Sequence, residues 1–359
     1  MRRTSEGVRR IVVYPFRVAS AGARFWRVRY GSSEIKERAF DKLSLEMKQL
    51  CFTAILAMAA FAPAVSKQAT SADFGGRWDL IINTPGEIYP SWMEFNANGA
   101  HPEVRVVGRV ASVHPAKEVK LEGSRLSFTT SEWFGKPIPV TWEMTVVGGK
   151  INGWQNRSDG VRGKIFGVPA PVLDSKAPAL WSDPEPLFDG NDLNGWRPDK
   201  PSENHWVAQN GELVNEAAGA NIRTTRQFND FKLHVEYNCP KDGNSGVYLR
   251  GRYEVQIEYE AADKNDKFHG MGSVYGFLPP AVNVSPRPGQ WETYDITLLG
   301  RNVTIVRDGT TIINNQEIPG ITGGALDSRE GDPGPIYIQG DHTGGMKFRN
   351  ITISMPRIR

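Results

Sequence analysis

Two glutamates and a glutamine alternate with apolar residues in one short segment, residues 251–260, whose sequence is GRYEVQIEYE. In a β-strand, Glu254, Gln256 and Glu258 would share one face, because side chains alternate across the strand. Arg250 lies just before this row, and a Gly-rich segment with aromatic residues follows it. Sugars offer hydroxyl groups to charged side chains and C–H faces to rings. The row is therefore either the acid machinery of a sugar-cleaving enzyme or the solvated face of a strand.

The same row resembles the Glu-x-Asp-x-Glu strand of laminarinase-type retaining glucanases. Such enzymes need two carboxyl groups about 5 Å apart, whereas Cα atoms four positions apart in a strand are separated by roughly 13 Å. The middle aspartate assists that pairing, but the middle residue here is the neutral Gln256. A retaining glycosidase is therefore kept only as an alternative.

The elements that must position these residues are almost all strands. Short segments rich in β-branched and aromatic residues predict a small antiparallel β-barrel or sandwich over residues 74–172. Prolines predict a linker at 173–186. Roughly ten further strands predict a two-sheet jelly-roll sandwich at 187–359, with tight hairpin turns at Asn210-Gly211 and Asp308-Gly309. The predicted fold class is all-β.

The N-terminal region has the pattern of an export signal. Residues 47–64 combine Lys48, an apolar run and the small-residue site Ala62-Pro63-Ala64, which predicts a signal peptide and an exported, periplasmic or extracellular protein. The apolar run is too short to span a bilayer, so no membrane insertion is expected. Arg-rich residues 1–46 are interpreted as an upstream extension from a wrongly chosen start codon; a basic arm that binds nucleic acid or lipid is the alternative.

Charge and cysteine content limit the partners. Residues 1–46 hold 11 Lys and Arg against 5 Asp and Glu, and the signal adds one Lys; without them the chain's 43 basic and 40 acidic residues become 31 and 35, a net charge of −4. The chain's basic character thus gives no reason to expect a nucleic-acid partner. Cys239 would be the only thiol left, so no internal disulfide is expected. The oligomeric state stays open.

Several motifs in the C-terminal half share one further resemblance. In order, they are LFDGNDLNGW, NSGVYLRGRYEVQI, HGMGSVYGF, WETYDITLLGRNVTIVRDG and IYIQGDH with FRNITI. Together they resemble the 3-keto-disaccharide hydrolase family, also described as 3-keto-glucoside 1,2-lyase and 3-keto-2-hydroxy-glucal hydratase domains, over residues 187–359. The resemblance implies a concanavalin A-like sandwich that acts on glycosides already oxidised at C3. The segment GRWDLIINTPG also resembles a domain that often precedes this one.

The chemistry implied by the resemblance needs one base. A ketone at C3 acidifies the hydrogen on C2, so that β-elimination can release the C1 oxygen, and water addition to the resulting glycal would complete a net hydrolysis. Matching the motifs gives Glu254 or His342 as the base, while Glu258 matches no fixed position and is assigned to the solvated face. The candidate catalytic residues are Glu254, His342 and His269, and the candidate substrate-binding residues are Arg250, Gln256, Asn244, Tyr275, Trp291, Gln339 and Asp341.

Metal binding and pure sugar binding are the remaining alternatives. Glu254, His269, Asp341 and His342 could supply oxygen and nitrogen ligands for a divalent cation that stabilises an enolate. No close ligand spacing supports such a site, so no metal site and no certain cofactor is assigned. A non-catalytic lectin would instead use exposed aromatic platforms, for which the candidates are Trp196, Trp206 and Trp291.

Overall fold

The computed structural model describes residues 71–97, 101–110, 112–178, 180–259, 266–285 and 287–357. The predicted upstream extension and signal peptide, residues 1–64, lie outside these ranges. The described chain is nearly all β-strand, with one helical turn, α1 (Ser71–Phe74), and one 3₁₀ turn, Pro201–Glu203. The prediction of an all-β protein is confirmed. In the described part, no helix has both the length and the apolar character that crossing a membrane requires.

The first domain is a nine-stranded antiparallel sheet that closes almost completely into a barrel. Its order is β4-β3-β2-β1-β9-β8-β7-β6-β5. Only Ala116 separates β4 from β5, and its N–H donates to the Val104 carbonyl at 2.8 Å. The two strands thus act as one bent strand that joins both ends of the sheet, which leaves few unpaired edges. The strands are β1 (Gly76–Asn83), β2 (Ile88–Asn96), β3 (Glu103–Val107), β4 (Val113–Pro115), β5 (Lys117–Glu122), β6 (Arg125–Trp133), β7 (Pro137–Val147), β8 (Lys150–Arg157) and β9 (Arg162–Pro169).

The barrel interior follows the strict alternation of its strands. In β6, Leu126, Phe128, Thr130 and Glu132 are buried, whereas the residues between them face outward. The Phe128 ring stacks on the Trp142 ring with 5.5 Å between centroids, within an apolar core separate from that of the second domain. Because Glu132 faces inward, the next residue, at the end of the strand, faces outward.

The second domain is a two-sheet jelly-roll sandwich. Its larger sheet has the order β12-β13-β22-β15-β18-β19-β20, with β10 also paired to β22, and its smaller sheet has the order β11-β14-β21-β16-β17. The strands are β10 (Glu185–Pro186), β11 (Trp196–Pro198), β12 (Trp206–Gln209), β13 (Glu212–Asn215), β14 (Ile222–Thr224), β15 (Phe231–Asn238), β16 (Asn244–Leu249), β17 (Tyr253–Glu258), β18 (Trp291–Leu299), β19 (Asn302–Arg307), β20 (Thr310–Glu317), β21 (Tyr337–Ile338) and β22 (Met346–Ser354).

Both predicted hairpin turns occur in this sandwich. Asn210 and Gly211 join β12 to β13 with φ angles of 54° and 79°, and Asp308 and Gly309 join β19 to β20 with φ angles of 46° and 77°. These residue pairs tolerate the left-handed backbone that a two-residue turn requires. The predicted linker, residues 173–186, has among its described residues only the two-residue strand β10 and a single bridge from Trp181 to Pro356.

The two sheets of the sandwich differ in what covers their outer faces. In β15 of the larger sheet, buried residues alternate with more accessible ones, as expected for a sheet with one face toward solvent. In β16 and β17 of the smaller sheet, nearly every residue is buried. The outer face of the smaller sheet is therefore covered as well, and the polar row of the sequence lies there.

The barrel packs directly against the sandwich. Trp92 of β2 is fully buried, belongs to the core of the sandwich, and meets the Phe277 ring edge-to-face at 5.4 Å. A Cβ atom at Gly320 would overlap the Trp92 indole, and one at Gly276 would come within 2.7 Å of the Ser112 side chain. Glycines thus permit a close approach of the two domains at these points.

Candidate functional site

A cavity of about 920 Å³ lies where the barrel meets the outer face of the smaller sheet. This volume is within the roughly 300–1,000 Å³ that is usual for small-molecule sites. The barrel contributes Glu87, Arg109, Val110, Ser112, Trp133, Phe134 and Gly135. The sandwich contributes Asn244, Tyr248, Glu254, Gln256, Glu258, Asp266, His269, Tyr275, Gly323, Gly324, Gln339, Asp341 and His342.

The pairing of β16 with β17 places the polar row in the cavity. Tyr248 lies opposite Glu254, Gly246 opposite Gln256, and Asn244 opposite Glu258. Directly opposed residues of an antiparallel pair point to the same face, so all of them face the cavity side of the sheet. Glu254 and Gln256 are each only 3% exposed, which excludes a solvated strand face for these two residues.

The Glu254 carboxyl group is the most perturbed acid of the cavity. Burial raises its pKa from the ordinary 4.5 to about 8, while the Tyr248 hydroxyl and the charge of His342 oppose this rise. A Cβ atom at Gly246 would overlap the Glu254 carboxylate, so the glycine provides the space in which the carboxylate lies. The Glu254 N–H donates to the Thr322 hydroxyl at 3.1 Å and ties the strand to a neighbouring loop.

Two glutamines present unused hydrogen-bond acceptors beside Glu254. The Gln256 side-chain N–H₂ donates to Glu258 Oε2 at 2.7 Å. The side-chain oxygens of Gln256 and Gln339 are buried and accept no hydrogen bond from the described protein. A buried unsatisfied acceptor costs on the order of 1–3 kcal/mol. Hydroxyl groups of a bound ligand would satisfy both oxygens.

Asp341 and His342 form a hydrogen-bonded pair at the rim. Asp341 Oδ1 lies 2.7 Å from His342 Nδ1, and the Asn221 side chain donates to Asp341 Oδ2 at 3.4 Å. The hydrogen bond that His342 donates to Asp341 raises the pKa of His342 above its usual 6.5. Burial acts to raise the pKa of Asp341, but the contact with His342 outweighs it and leaves that pKa below its usual range. Asp341 therefore makes the imidazole of His342 a weaker acid than an isolated histidine, and leaves its Nε2 atom free of this contact.

His269 and Tyr275 form the wall beside this pair. The His269 Nδ1 atom contacts the Asp266 carboxylate, and the His269 ring meets the Tyr275 ring edge-to-face at 4.8 Å. Burial, followed by the charge of Glu254, raises the pKa of Tyr275 to about 12. Tyr275 therefore keeps its hydroxyl proton at neutral pH and can donate it in a hydrogen bond.

Residues 183–354 match the family model of the 3-keto-alpha-glucoside-1,2-lyase-like domain. The C-terminal half of the chain is a domain of this family. The whole smaller sheet and every sandwich residue of the cavity lie inside the matched range. The family makes this domain a carbohydrate-active enzyme domain, and the barrel lies outside the match.

Solved structures similar to the chain cover about half of it. A crystal structure of an inferred glycosyl hydrolase from Parabacteroides distasonis has 28% identity and a TM-score of 0.42, covering 51% of this chain and 93% of its own. Another from the same organism has 23% identity, covers 48% and 98%, and has a TM-score of 0.37. SCLam, a non-specific endo-β-1,3(4)-glucanase of family GH16, has 13% identity, covers 52% and 96%, and has a TM-score of 0.32. Comparison with curated proteins gives no match.

Two predicted binding residues lie away from the cavity of this lyase-like domain. Arg250 occupies the turn after β16 with a φ of 53°, is 3% exposed, and donates to the Tyr253 hydroxyl and the Gly300 carbonyl, each at 3.0 Å. Trp291 begins β18 in the larger sheet, where the Arg349 guanidinium lies 3.9 Å from its ring centre. The structure therefore does not bring these two residues to the cavity, because one is turned into the protein at the sheet end and the other belongs to the opposite sheet.

Other functional positions escaped the sequence reasoning. Glu258, which the sequence predicts on the solvated face, lines the cavity and accepts the hydrogen bond from Gln256. The barrel residues of the cavity were also missed. Their only signal in the sequence is a pair of adjacent aromatics, Trp133 and Phe134, before the glycine of a hairpin turn.

The proposed metal ligands do not assemble into a metal centre. Within the ranges that the structure describes, no group of three or more His, Cys, Asp or Glu side chains is placed to hold a metal ion. Glu254, His269, Asp341 and His342 all line the cavity, but His269 contacts Asp266, and Asp341 contacts His342.

Proposed function

We propose that the protein cleaves glycosides whose sugar already carries a ketone at C3, by β-elimination across C1 and C2. The observation that carries this proposal is the buried Glu254 carboxyl group, with a pKa near 8, facing a cavity in a 3-keto-alpha-glucoside-1,2-lyase-like domain. A carboxylate with a raised pKa is a stronger base than an ordinary one, and its pKa lies close to the working pH of most enzymes.

The proposed reaction needs no covalent intermediate with the protein. Glu254 takes the proton from C2, and the electrons of the C2–H bond form the enolate of the C3 ketone. The enolate then reforms the ketone and expels the C1 oxygen, which takes up a proton and leaves as an alcohol. The products are a 2-hydroxy-glycal ketone and the free alcohol. Addition of water to the glycal would give the net hydrolysis product.

The neighbouring residues supply the other groups that this reaction needs. His342, whose pKa is raised by its hydrogen bond to Asp341, donates the proton to the departing oxygen. Tyr275 keeps its hydroxyl proton and donates a hydrogen bond to the oxygen of the developing enolate. The free acceptor oxygens of Gln256 and Gln339 bind sugar hydroxyl groups and orient the ring.

Neither alternative function is favoured by the contacts of the described residues. For a lectin, Trp196 and Trp206 are only 5% and 1% exposed, so they cannot serve as stacking platforms for a sugar. The third candidate platform, Trp291, has the Arg349 guanidinium 3.9 Å from its ring centre. For a retaining glycosidase, the second carboxylate would have to be Glu258, but the Gln256 amide donates to it and separates it from Glu254 along the strand.

Deuterium at C2 provides the sharpest test of the reaction. We expect phenyl 3-keto-glucoside to be cleaved, with the enone product followed by ultraviolet absorbance, and phenyl glucoside without the ketone to be left intact. Substrate with deuterium at C2 should react more slowly, because elimination breaks that bond. Cleavage of the unoxidised glucoside at a similar rate, with no effect of deuterium, would instead indicate a conventional glycosidase.

The location of the reaction is part of the proposal. The signal-like segment 47–64 supports export before the reaction takes place. N-terminal sequencing of the exported protein should begin after Ala64, and a fragment that starts before Met47 would contradict both the signal and the start-codon interpretation.

A further inference from the structure

One wall of the cavity belongs to the barrel and therefore lies outside the family match. Trp133 is the last residue of β6, and its side chain faces outward, away from the barrel core. It is 52% exposed although it lines the same cavity as Glu254. An exposed tryptophan is unusual in a position that has a structural purpose only, because burying its large ring would stabilise the fold.

The hairpin that carries Trp133 is held firmly. Trp133 pairs with Pro137 across a three-residue loop, in which the Phe134 N–H donates to the Lys136 carbonyl at 3.0 Å. The Arg157 guanidinium lies 3.6 Å from the centre of the Phe134 ring and so anchors the loop to the neighbouring strand. The exposed indole is thus presented from a rigid support rather than from a free loop.

The distance between this wall and the sandwich is also constrained. The buried Trp92 fixes the barrel to the sandwich core, and the loop at Ser112 packs closely on Gly276. Arg109 and Glu87, which line the same cavity as Trp133, form an ion pair with N···O distances of 2.5 and 2.6 Å. The barrel wall therefore combines one flat apolar face with polar groups beside it, which is the composition that recognises a ring bearing hydroxyl groups or an aromatic ring.

We propose that the Trp133 face of the barrel is the binding subsite for a ring-bearing leaving group, either a second sugar or an aromatic aglycone. The inference rests on the proposed function, because the oxidised sugar must place its C2 proton at Glu254 and use the polar sheet of the sandwich. The part of the substrate beyond the glycosidic oxygen then meets the opposite wall. The barrel, for which the family supplies no role, thereby selects the leaving group.

Three substrates that differ only in the leaving group test this subsite: a 3-keto-disaccharide, phenyl 3-keto-glucoside and methyl 3-keto-glucoside. For W133A we expect kcat/KM to fall about tenfold with the two ring-bearing substrates and to stay unchanged with the methyl substrate. W133F should retain most of the activity, since a smaller ring still offers a flat face. The matched control is W154A, because Trp154 is another exposed tryptophan of the barrel that does not line the cavity.

The outcomes separate this inference from the proposed function. Equal losses with all three substrates, or no loss with any, would overturn the subsite while leaving the elimination reaction in place. A loss with only one ring-bearing substrate would identify that ring as the leaving group. Should wild-type protein cleave none of them, calorimetry with unoxidised phenyl glucoside still tests the wall: wild type should bind it more tightly than W133A, and equal binding would refute the subsite.

Discussion

Replacing Glu254 by glutamine separates the catalytic contribution of this residue from its contribution to stability. Glutamine keeps the size and the hydrogen-bonding ability of the side chain but can neither lose nor take up a proton. Because Glu254 is only 3% exposed and its carboxylate lies in the space above Gly246, the glutamine should fit with little rearrangement. The variant therefore changes mainly the charge and the proton affinity at this position.

The loss of the base should abolish most of the activity. A positioned general base contributes about 10²–10⁴-fold, and we expect E254Q to lose that factor in kcat. In wild type, the pKa near 8 means that roughly one tenth of Glu254 is ionised at pH 7. We therefore expect kcat/KM of wild type to rise about tenfold for each pH unit over the range in which Glu254 ionises while His342 stays protonated, whereas the residual activity of E254Q should lack this rise.

The same substitution should make the folded protein more stable at alkaline pH. The pKa of Glu254 is raised by burial, so the folded state holds the proton more tightly than the unfolded state does. Stability from this group is fully present below pH 4.5 and is lost as the pH rises through about 8. The difference between 4.5 and 8 corresponds to at most about 5 kcal/mol, at about 1.4 kcal/mol per tenfold change in proton affinity. E254Q avoids this loss.

Two measurements on the same samples test whether Glu254 is a buried base. Denaturant unfolding of wild type and E254Q at pH 5 and pH 9 gives the difference in free energy, which should widen toward pH 9 in favour of the variant. Turnover of phenyl 3-keto-glucoside gives the activity. An inactive variant with greater alkaline stability supports a buried base. Turnover within threefold of wild type, or a stability difference that does not change with pH, would refute the assignment of Glu254.

Three further predictions concern groups around the site and at the contact between the domains. G246A should push the Glu254 carboxylate out of place and lower kcat by about 10²-fold, as expected for a shift near 1 Å. The control is G331A, whose added Cβ would have ordinary contacts only. A wild-type rate in G246A would contradict this prediction. H342N should lose about 10²-fold in kcat with methyl 3-keto-glucoside but much less with a substrate that has a 4-nitrophenyl leaving group, because that group leaves without a general acid. Equal losses in kcat with both substrates would exclude His342 as the acid. D79N should raise the melting temperature at pH 9 but not at pH 5. Burial and then the charge of Glu330 raise the pKa of Asp79 from 3.8 to about 8, so the stability that Asp79 contributes is lost as the pH rises through that value. A difference in melting temperature between D79N and wild type that is the same at both pH values would contradict this prediction.

The fold was predictable from the sequence to the extent that local rules determine it. Alternating apolar residues indicate strands, and Asn210-Gly211 and Asp308-Gly309 indicate two-residue turns because these residues adopt positive φ angles. The closure of the barrel could not be foreseen in the same way. It depends on a bend at Ala116, where the chain changes from pairing with β3, as strand β4, to pairing with β6, as strand β5. Such pairing between distant segments of the chain leaves no local pattern in the sequence.

The site was predictable where a strand period or a matched motif determines a face. Period two places Glu254 and Gln256 on one side, but only the packing of the whole domain shows that the barrel covers this side and that both residues are only 3% exposed. Arg250 has the same spacing signal, and yet a left-handed turn directs it away from the cavity. Trp291 belongs to the opposite sheet, which a single sequence does not reveal.

The burial of Glu254, which the sequence alone does not reveal, is also what makes the chemistry of the site feasible. A glutamate on a solvated strand would keep an ordinary pKa and be a weak base toward a C–H bond. Covering the sheet with the barrel removes water from Glu254, raises its pKa to about 8 and leaves the acceptor oxygens of Gln256 and Gln339 for a ligand. The barrel thus affects the reaction in two separable ways: through the burial of the Glu254 carboxyl group, which E254Q tests, and through the Trp133 wall, which the choice of leaving group tests.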